Sequence, residues 1–464
     1  MEQYASTWAI QEFSAACFGD ERLARRCVAL ARALHMHAQS SIPQACQNWA
    51  ATKGAYRFFG NNRVTSAEML RAHQEQLRQQ TAGHDTLLVA QDTTTLNLSN
   101  KQIAGVGLVG DGGSKKNPLQ GLYVHSGLAM TTEGLPLGIA FQKIYARKQE
   151  TTTAAYRKTI KTKPITEKET YRWIEAIQET KVVLPDKHLV VIGDRESDIY
   201  EVFAEGQALG VDLLVRTSQN RLLHESDGDI KLFDAAQQGD IVTTYEAEVP
   251  VDAHKTRQVS LTVRTTNIQL PPPKSRDKDK KRPVIPLTVL NVMEEKPPAG
   301  VTPLHWMLTT SCTVVTPDAA LEKVTWYMYR WRIERFHYTL KTGAFNIEKL
   351  QFETTDRFAK AITLYSLVAC RILHTLYYER LHPNVEAATM FSSQELRALT
   401  YREQRSNASL TLHEATTAIA KLGGYLARKS DGPPGIKALW SGFQSLQYIV
   451  EGILLAERGD VGKD

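Results

Sequence analysis

Residues 189–192 read Leu-Val-Val-Ile, four apolar side chains in a row with no polar residue between them. A strand with one wet face alternates. An unbroken run of this kind reads instead as a strand covered on both faces. Its surroundings agree. Thr86–Leu98 is β-rich, with an apolar start and a Thr-rich end, and Tyr123–Met130 and Leu137–Tyr145 read as two further strands. A helical stretch near Thr170–Glu179 precedes the buried strand His188–Ile192. Three strands, a helix and another strand predict an α/β domain with a mixed sheet.

The flanks change character. Residues 1 to about 80 read as helical: Glu21–His35 is rich in Ala, Leu and Arg, and Ser66–Gln80 starts at Thr65-Ser66 with Glu68 in its first turn. A Ser-Ile-Pro break at 41–43 separates them. Past the buried strand come Asp212–Arg216, Ile241–Val249, Gln258–Arg264, Ile285–Val292 and His305–Thr310, interrupted by Pro-Pro-Pro-Lys at 271–274. These short strands predict a β insertion over about 212–315. One long helix is expected from about Pro317 to Thr342, and mostly helix beyond it, broken at Asp431-Gly432-Pro433-Pro434-Gly435. The divisions are 1–80, 81–370 and 371–464, which suits a 464-residue chain at roughly 150 residues per domain.

The net charge is only +6, but its placement is uneven. Lys143–Arg172 holds nine Lys/Arg against three acids, and Lys274–Arg282 holds six against two. Such stretches neutralise phosphates and release counterions, so nucleic acid is the leading partner, with a solvated basic loop as the other reading. Helices near a phosphate backbone would also account for Arg22, Arg25, Arg26 and Arg32; a plain helical cap is the alternative. No apolar run reaches the roughly 20 residues that span a bilayer, and candidates such as Ala361–Cys370 stop at a charge. Cys17, Cys27, Cys46, Cys312 and Cys370 form no CxxC pair, and no secretory signal follows Met1-Glu2-Gln3. The expectation is a reduced, cytoplasmic protein.

Three acids stand out by position. Asp92 shares a strand face with Leu88, Ala90, Thr94 and Leu96, where a carboxylate is costly unless paired or bound to metal. Asp194 ends the buried strand, at the carboxyl edge where open α/β sheets place ligands. Each alone also fits a hydrogen-bonded structural aspartate. The third is Glu334. At about 100° per residue, Tyr327, Arg330, Glu334 and Lys341 fall within an arc of about 60°, opposite Met328, Ile333, Phe336 and Leu340. One carboxylate among a phenol, a guanidinium and an ammonium suits a metal ligand beside phosphate-gripping groups. A solvated helix face is the competing reading.

At this point the residues resemble a family. Tyr327-x2-Arg330-x3-Glu334-x6-Lys341 is similar to the YREK signature of the bacterial cut-and-paste DDE transposases related to transposon five. The likeness extends through Gly54-Ala55-Tyr56-Arg57-Phe58, Gln91-Asp92-Thr93-Thr94-Thr95, Gly121-Leu122-Tyr123-Val124-His125-Ser126, Gly193-Asp194-Arg195-Glu196-Ser197-Asp198-Ile199, Arg330-Trp331-Arg332-Ile333-Glu334 and Leu422-Gly423-Gly424-Tyr425, nearly the whole chain. It implies an RNase H-like catalytic core with a β-strand insertion, an N-terminal helical domain that binds DNA ends, and a C-terminal helical region for dimerisation. It implies that Asp92, Asp194 and Glu334 are a catalytic triad holding two Mg²⁺, with Mn²⁺ able to substitute, about 4 Å apart. Tyr327, Arg330 and Lys341 would grip phosphates. Excision through a DNA hairpin would need a displaced base, and Trp306 and Trp331 match the aromatic positions that stack on it, typically for about 1–3 kcal/mol per base. Tyr338 departs from the pattern, standing where the best-known relative has a second lysine.

The expected partners are double-stranded DNA, both element ends and target, and a second copy of the chain in a synaptic dimer. A membrane and a nucleotide cofactor are not expected. Gly105-Val106-Gly107-Leu108-Val109-Gly110 matches GxGxxG, but Asp111-Gly112-Gly113-Ser114 and a strand follow where a helix is required, so a hairpin loop is predicted. His35 and His37 diverge by about 200° on a helix and make a poor metal pair. Two rivals keep part of this reading: a metal-dependent nuclease without strand transfer, and an inactive DNA-binding inhibitor of transposition.

Overall fold

The computed structural model describes residues 8–114, 117–147, 163–225, 228–250, 256–273, 282–403, 409–428 and 431–458. Most of the first basic stretch (148–162) and nearly all of the second (274–281) lie outside the described residues, as does Met1-Glu2-Gln3.

After a helical segment at residues 8–12 come α1 (Glu21–Met36), α2 (Ile42–Cys46), α3 (Trp49–Phe59) and α4 (Ser66–Gln80). Their starts are chemically marked. Asp20 accepts from the Arg22 N–H, Asn48 from Ala51 and Thr65 from Glu68, each satisfying a donor the helix leaves open. Strands β1 (Thr86–Asn97), β2 (Gly107–Ser114), β3 (Asn117–Met130) and β4 (Pro136–Tyr145) follow, then α5 (Tyr171–Val183), β5 (His188–Gly193), α6 (Tyr200–Leu209) and β6 (Asp212–Arg216). A small hairpin, β7 (Leu222–Glu225) with β8 (Gly228–Lys231), leads through α7 (Leu232–Gln238) to β9 (Asp240–Pro250), β10 (Thr256–Leu270), β11 (Ile285–Glu294) and β12 (His305–Thr310).

Ten strands make one sheet in the order β2-β3-β1-β5-β6-β12-β11-β10-β9, with β4 also on β3. β1, β5 and β6 are parallel neighbours, and the remaining pairs are antiparallel. The mixed sheet is therefore as expected; β6 and β9 to β12 prolong it, while β7 and β8 form a two-stranded sheet of their own. In β5, Leu189, Val190, Val191 and Ile192 are all buried, as a strand covered on both faces requires. Gly121 is demanded by the β1–β3 pair: a Cβ there would lie 1.7 Å from the Leu96 carbonyl oxygen. The GxGxxG segment is only partly a loop. Its last four residues, 107–110, belong to strand β2, which pairs Gly107 with Gly121 at the sheet edge.

The expected long helix is broken. α8 (Pro317–Met328) ends before Tyr329, and α9 (Trp331–Tyr338) starts after Arg330. At the joint the bonds tighten to three-residue spacing: Arg330 N–H to Tyr327 O at 3.0 Å, Arg332 to Tyr329 at 2.9 Å and Ile333 to Arg330 at 3.1 Å. The tighter winding changes the phase. Ile333, Phe336 and Leu340 are buried as predicted, but Met328 is 48% exposed rather than in the core. A π turn, Thr339–Gly343, then carries Lys341.

The long helix α10 (Thr355–Leu381) packs on the N-terminal helices, on β4, on the Thr339–Gly343 turn and on the C-terminal helices. α11 (Ser393–Arg402), α12 (Leu412–Leu422) and α13 (Ile436–Arg458) complete the chain, the first two opened by capping boxes at Ser392/Glu395 and Thr411/Glu414. Among the described residues, no helix is long and apolar enough to cross a membrane.

Candidate active site

Parallel pairing places the first two acids. β1 and β5 are in register as far as Ala90 opposite Ile192, so Asp92 and Asp194, two residues further on along each strand, stand level, the first midway along β1 and the second just past the end of β5. Gly193 lets the chain turn there, since a Cβ would lie 2.1 Å from Ser197 Oγ. Asp194 then starts a short 3₁₀ turn and accepts the Glu196 N–H at 2.9 Å. Burial pushes its carboxyl up from the usual range, and the charges of Asp92 and Glu196 add to that push; the Glu196 N–H and Arg330 oppose it.

The third acid comes from α9, which packs on β1. Glu334 is ion-paired with Arg330 one turn earlier. Arg330 is the hub of the site. Burial opposes its charge, yet Tyr327, Glu334 and Asp92 outweigh burial and keep it firmly protonated. Its guanidinium lies 6.0 Å from the Tyr327 ring centre and 5.9 Å from that of Trp331. The Tyr327 phenol is raised by burial, against the pull of Arg330 and Arg216. Among the described residues, no three His, Cys, Asp or Glu side chains are arranged to hold a metal ion. The structure thus brings Asp92 and Asp194 together and pairs Glu334 with Arg330, whose charge acts on both aspartates.

Lys341 is near but distinct, donating to the Thr95 carbonyl of β1 at 2.8 Å. Trp331 is 60% exposed beside Arg330, unlike a core residue, whereas Trp306 on β12 is half-buried and packs partly against the core. Tyr338 is exposed, with the Arg335 guanidinium 4.9 Å from its ring.

Several neighbours were not singled out from sequence. His337, buried one turn after Glu334, places Nδ1 3.5 Å from Asp92 Oδ2, and its Nε2 has no partner. Behind Asp92, Thr93 Oγ1 meets His125 Nδ1 at 2.8 Å and accepts Arg172 Nε at 3.0 Å. Arg172 also pairs with Glu196, so one buried guanidinium links the backs of both aspartate strands. Burial holds His125 well below the usual imidazole range, and so neutral. Asp198, in the same motif as Asp194, is structural: it is fully buried, pairs with Arg221 at 2.6 Å and accepts the Ser218 and Gln219 N–H groups. The one available signal was a polar residue amid apolar ones, as at Arg172-Trp173-Ile174 and Phe336-His337.

Comparison with known proteins reaches part of this site: the matched regions include Asp194 and Glu334 but not Asp92. Residues 5–64 match a family model described as transposase DNA-binding, 142–371 match the transposase DDE domain, and 367–460 match the transposase Tn5 dimerisation domain. Among solved structures, a cryo-EM structure of the piggyBac transposase synaptic complex with hairpin DNA is similar at 9% identity and a TM-score of 0.38, over 98% of this chain and 81% of that one. The DDE domain implies an enzyme that depends on a divalent metal, and its companions a DNA partner and a dimer. With DNA-binding, catalytic and dimerisation models matched in that order along the chain, the protein belongs to the DDE transposases of the Tn5 type.

Proposed function

We propose that the protein binds the inverted-repeat ends of its own element through residues 1–80, excises the element through a DNA hairpin, and joins the freed 3′-hydroxyls to target DNA. The observation that carries this reading is the pair Asp92 and Asp194, level with one another across β1 and β5, with the Arg330 charge acting on both. Two half-buried carboxylates close enough to raise one another's pKa are costly without a cation beside them. An all-oxygen set fits a hard divalent ion, so Asp92, Asp194 and Glu334 would hold Mg²⁺, with two ions per site and Mn²⁺ as a substitute. When bound, such ions lower the pKa of the attacking water or 3′-hydroxyl and stabilise the leaving oxygen.

The protein groups have separable tasks. Arg330 and Lys341 bind phosphate oxygens, and Tyr327 orients the Arg330 guanidinium and donates its hydroxyl to the backbone. Trp331, already exposed, offers a face for a flipped base, and half-buried Trp306 a second wall. Glu334 would be released as a ligand where an arriving phosphate takes its place on Arg330. Two protomers act on paired ends through the 371–464 region. The enzyme works where the chromosome is, in the bacterial cytoplasm at the nucleoid.

The test incubates the protein with Mg²⁺ and a labelled duplex carrying the inverted repeats that flank its gene, beside Asp92→Ala. Nicks, then hairpins, then blunt ends, all absent from the variant, are the expected products on a denaturing gel. Cuts without hairpins or joined products would instead support a simple nuclease, and binding without cleavage an inactive inhibitor.

A further inference from the structure

Both cations of the signature already face a carboxylate of the same chain. For Arg330 that partner is Glu334, itself one of the three acids. For Lys341 it is Glu348, which has no place in the chemistry so far: its Oε1 lies 3.7 Å from Lys341 Nζ. Glu348 sits in a short 3₁₀ turn, Ile347–Lys349, and the same Oε1 accepts the backbone N–H of Asn97 at 2.8 Å, across 251 residues of sequence. That second bond pins the carboxylate at the end of β1, close to the ammonium. The pair is only half-exposed, at 29% for Lys341 and 31% for Glu348.

The neighbourhood continues beyond it. A groove of about 910 Å³ runs from Glu348 past Asn97, Asn100, Lys101, Gln102 and Lys349. Glu348 also draws on the charge of Lys101. Lys341 spends its hydrogen bond on the Thr95 carbonyl, so at 3.7 Å Glu348 is its charge partner rather than its acceptor. An anionic oxygen beside a lysine ammonium and hydrogen-bonded to a backbone N–H is still an arrangement that a DNA phosphate oxygen adopts on a protein. Glu348 therefore occupies a phosphate position at the mouth of a polar, amide-lined groove.

We propose that Glu348 is a phosphate surrogate, holding Lys341 in the DNA-free protein and giving way when a strand enters the site. The proposal rests on Lys341 being a phosphate contact. Every strand must displace Glu348, so it lowers the affinity for all duplexes alike. Element ends, with their additional contacts, stay bound, while unrelated DNA falls below the threshold for occupying the site.

The experiment measures binding by fluorescence anisotropy, without metal, to a labelled element-end duplex and to an unrelated duplex of equal length. Four proteins are compared across a salt series: the parent, Glu348→Gln, Lys341→Ala and the double variant. Glutamine keeps the acceptor for Asn97 and removes the charge; if it fails to fold, as judged by thermal melting, Glu348→Ala takes its place in every arm. The expected result is tighter binding of both duplexes by Glu348→Gln, with a salt slope steeper by about 0.9, or about 3.5-fold between 200 and 50 mM. That gain should vanish when Lys341 is alanine. A Glu348→Gln protein that binds like the parent, while Lys341→Ala weakens binding, overturns the surrogate and leaves the role of Lys341 standing. A gain that survives in the double variant reduces Glu348 to a general charge effect and overturns it too. If Lys341→Ala itself changes nothing, both the surrogate and the phosphate role of Lys341 fall.

Discussion

At Asp194 a low-polarity wall and a second carboxylate act on one ionisable group, and the consequence can be read without any DNA. Its folded pKa is raised, above the roughly 3.9 of an unfolded aspartate, first by burial and then by Asp92. The sign follows from linkage: a raised group adds stability below the unfolded value and loses it as pH climbs through the folded one. At neutral pH the ionised Asp194 therefore weighs against the metal-free fold. Asp194→Asn should melt at a higher temperature than the parent at pH 7 in the presence of a chelator, with the difference shrinking towards pH 4. A difference that is absent, or independent of pH, would remove Asp92 and burial as the operative causes. Glu334→Gln addresses the other acid. Its pairing with Arg330 is local and its loss frees a phosphate-binding guanidinium, so end binding should be kept or modestly tightened, while cleavage falls by more than the roughly 100-fold that follows loss of a mere outer partner of a metal ligand. Loss of both together would mark Glu334 as structural.

Among the elements, the β1–β3 pair carries Asp92 and depends on one missing side chain. Adding a methyl at Gly121 drives it into the Leu96 carbonyl, and backbone cannot swing aside as a side chain can. Gly121→Ala should cost about 2 kcal/mol or more in urea unfolding, whereas Gly83→Ala, with nothing within 4 Å of the added carbon, should be neutral. Equal stabilities would show that the two strands are free to separate. Most strands were legible because burial writes itself into local composition: Leu-Val-Val-Ile at 189–192 admits little else, and β6 and β9 to β12 lie where their β-rich runs fall, whereas the Gly-rich β2 and the short β7 and β8 carry no such run. The break at Tyr329-Arg330 was not legible. A switch from four-residue to three-residue hydrogen bonds leaves apolar spacing almost unchanged over one turn, so periodicity alone continues the helix through it. Partners were hidden for a different reason. Arg172 meets Thr93 across 79 residues and Glu348 meets Asn97 across 251, and no local pattern encodes a contact that only the sheet order creates.

Across the molecule, α10 is the common support. At 27 residues it is about 40 Å long and touches N-terminal helices, sheet and C-terminal helices in turn. Polar contacts between the two ends of the chain reinforce it: Gln39 bonds to the Lys437 carbonyl at 3.3 Å and to Ser441 at 3.2 Å. Two histidines lie at this junction. Burial, aided by the nearby Arg371 charge, lowers His35 to about 3 and His374 to about 4. For a lowered imidazole the stability is present above the unfolded value near 6.5 and is lost as pH falls towards the folded one. The melting temperature should therefore drop between about pH 6.5 and 4, and replacing both histidines by glutamine should flatten that drop. An unaltered profile would place the acid sensitivity elsewhere.

The matched catalytic and dimerisation regions overlap at 367–371, and that overlap lies inside α10, where Leu367, Val368, Ala369 and Cys370 are all buried. Regions joined by a slack linker can be exchanged between genes, because the linker absorbs any mismatch. Regions that share one rod cannot. Each residue gained or lost at the splice turns everything beyond it by about 100° and shifts it about 1.5 Å, so a borrowed C-terminal region would arrive facing away from α1 unless its helical phase already agreed. A splice at this point therefore has to preserve helical phase, a mechanical consequence of where one helix runs.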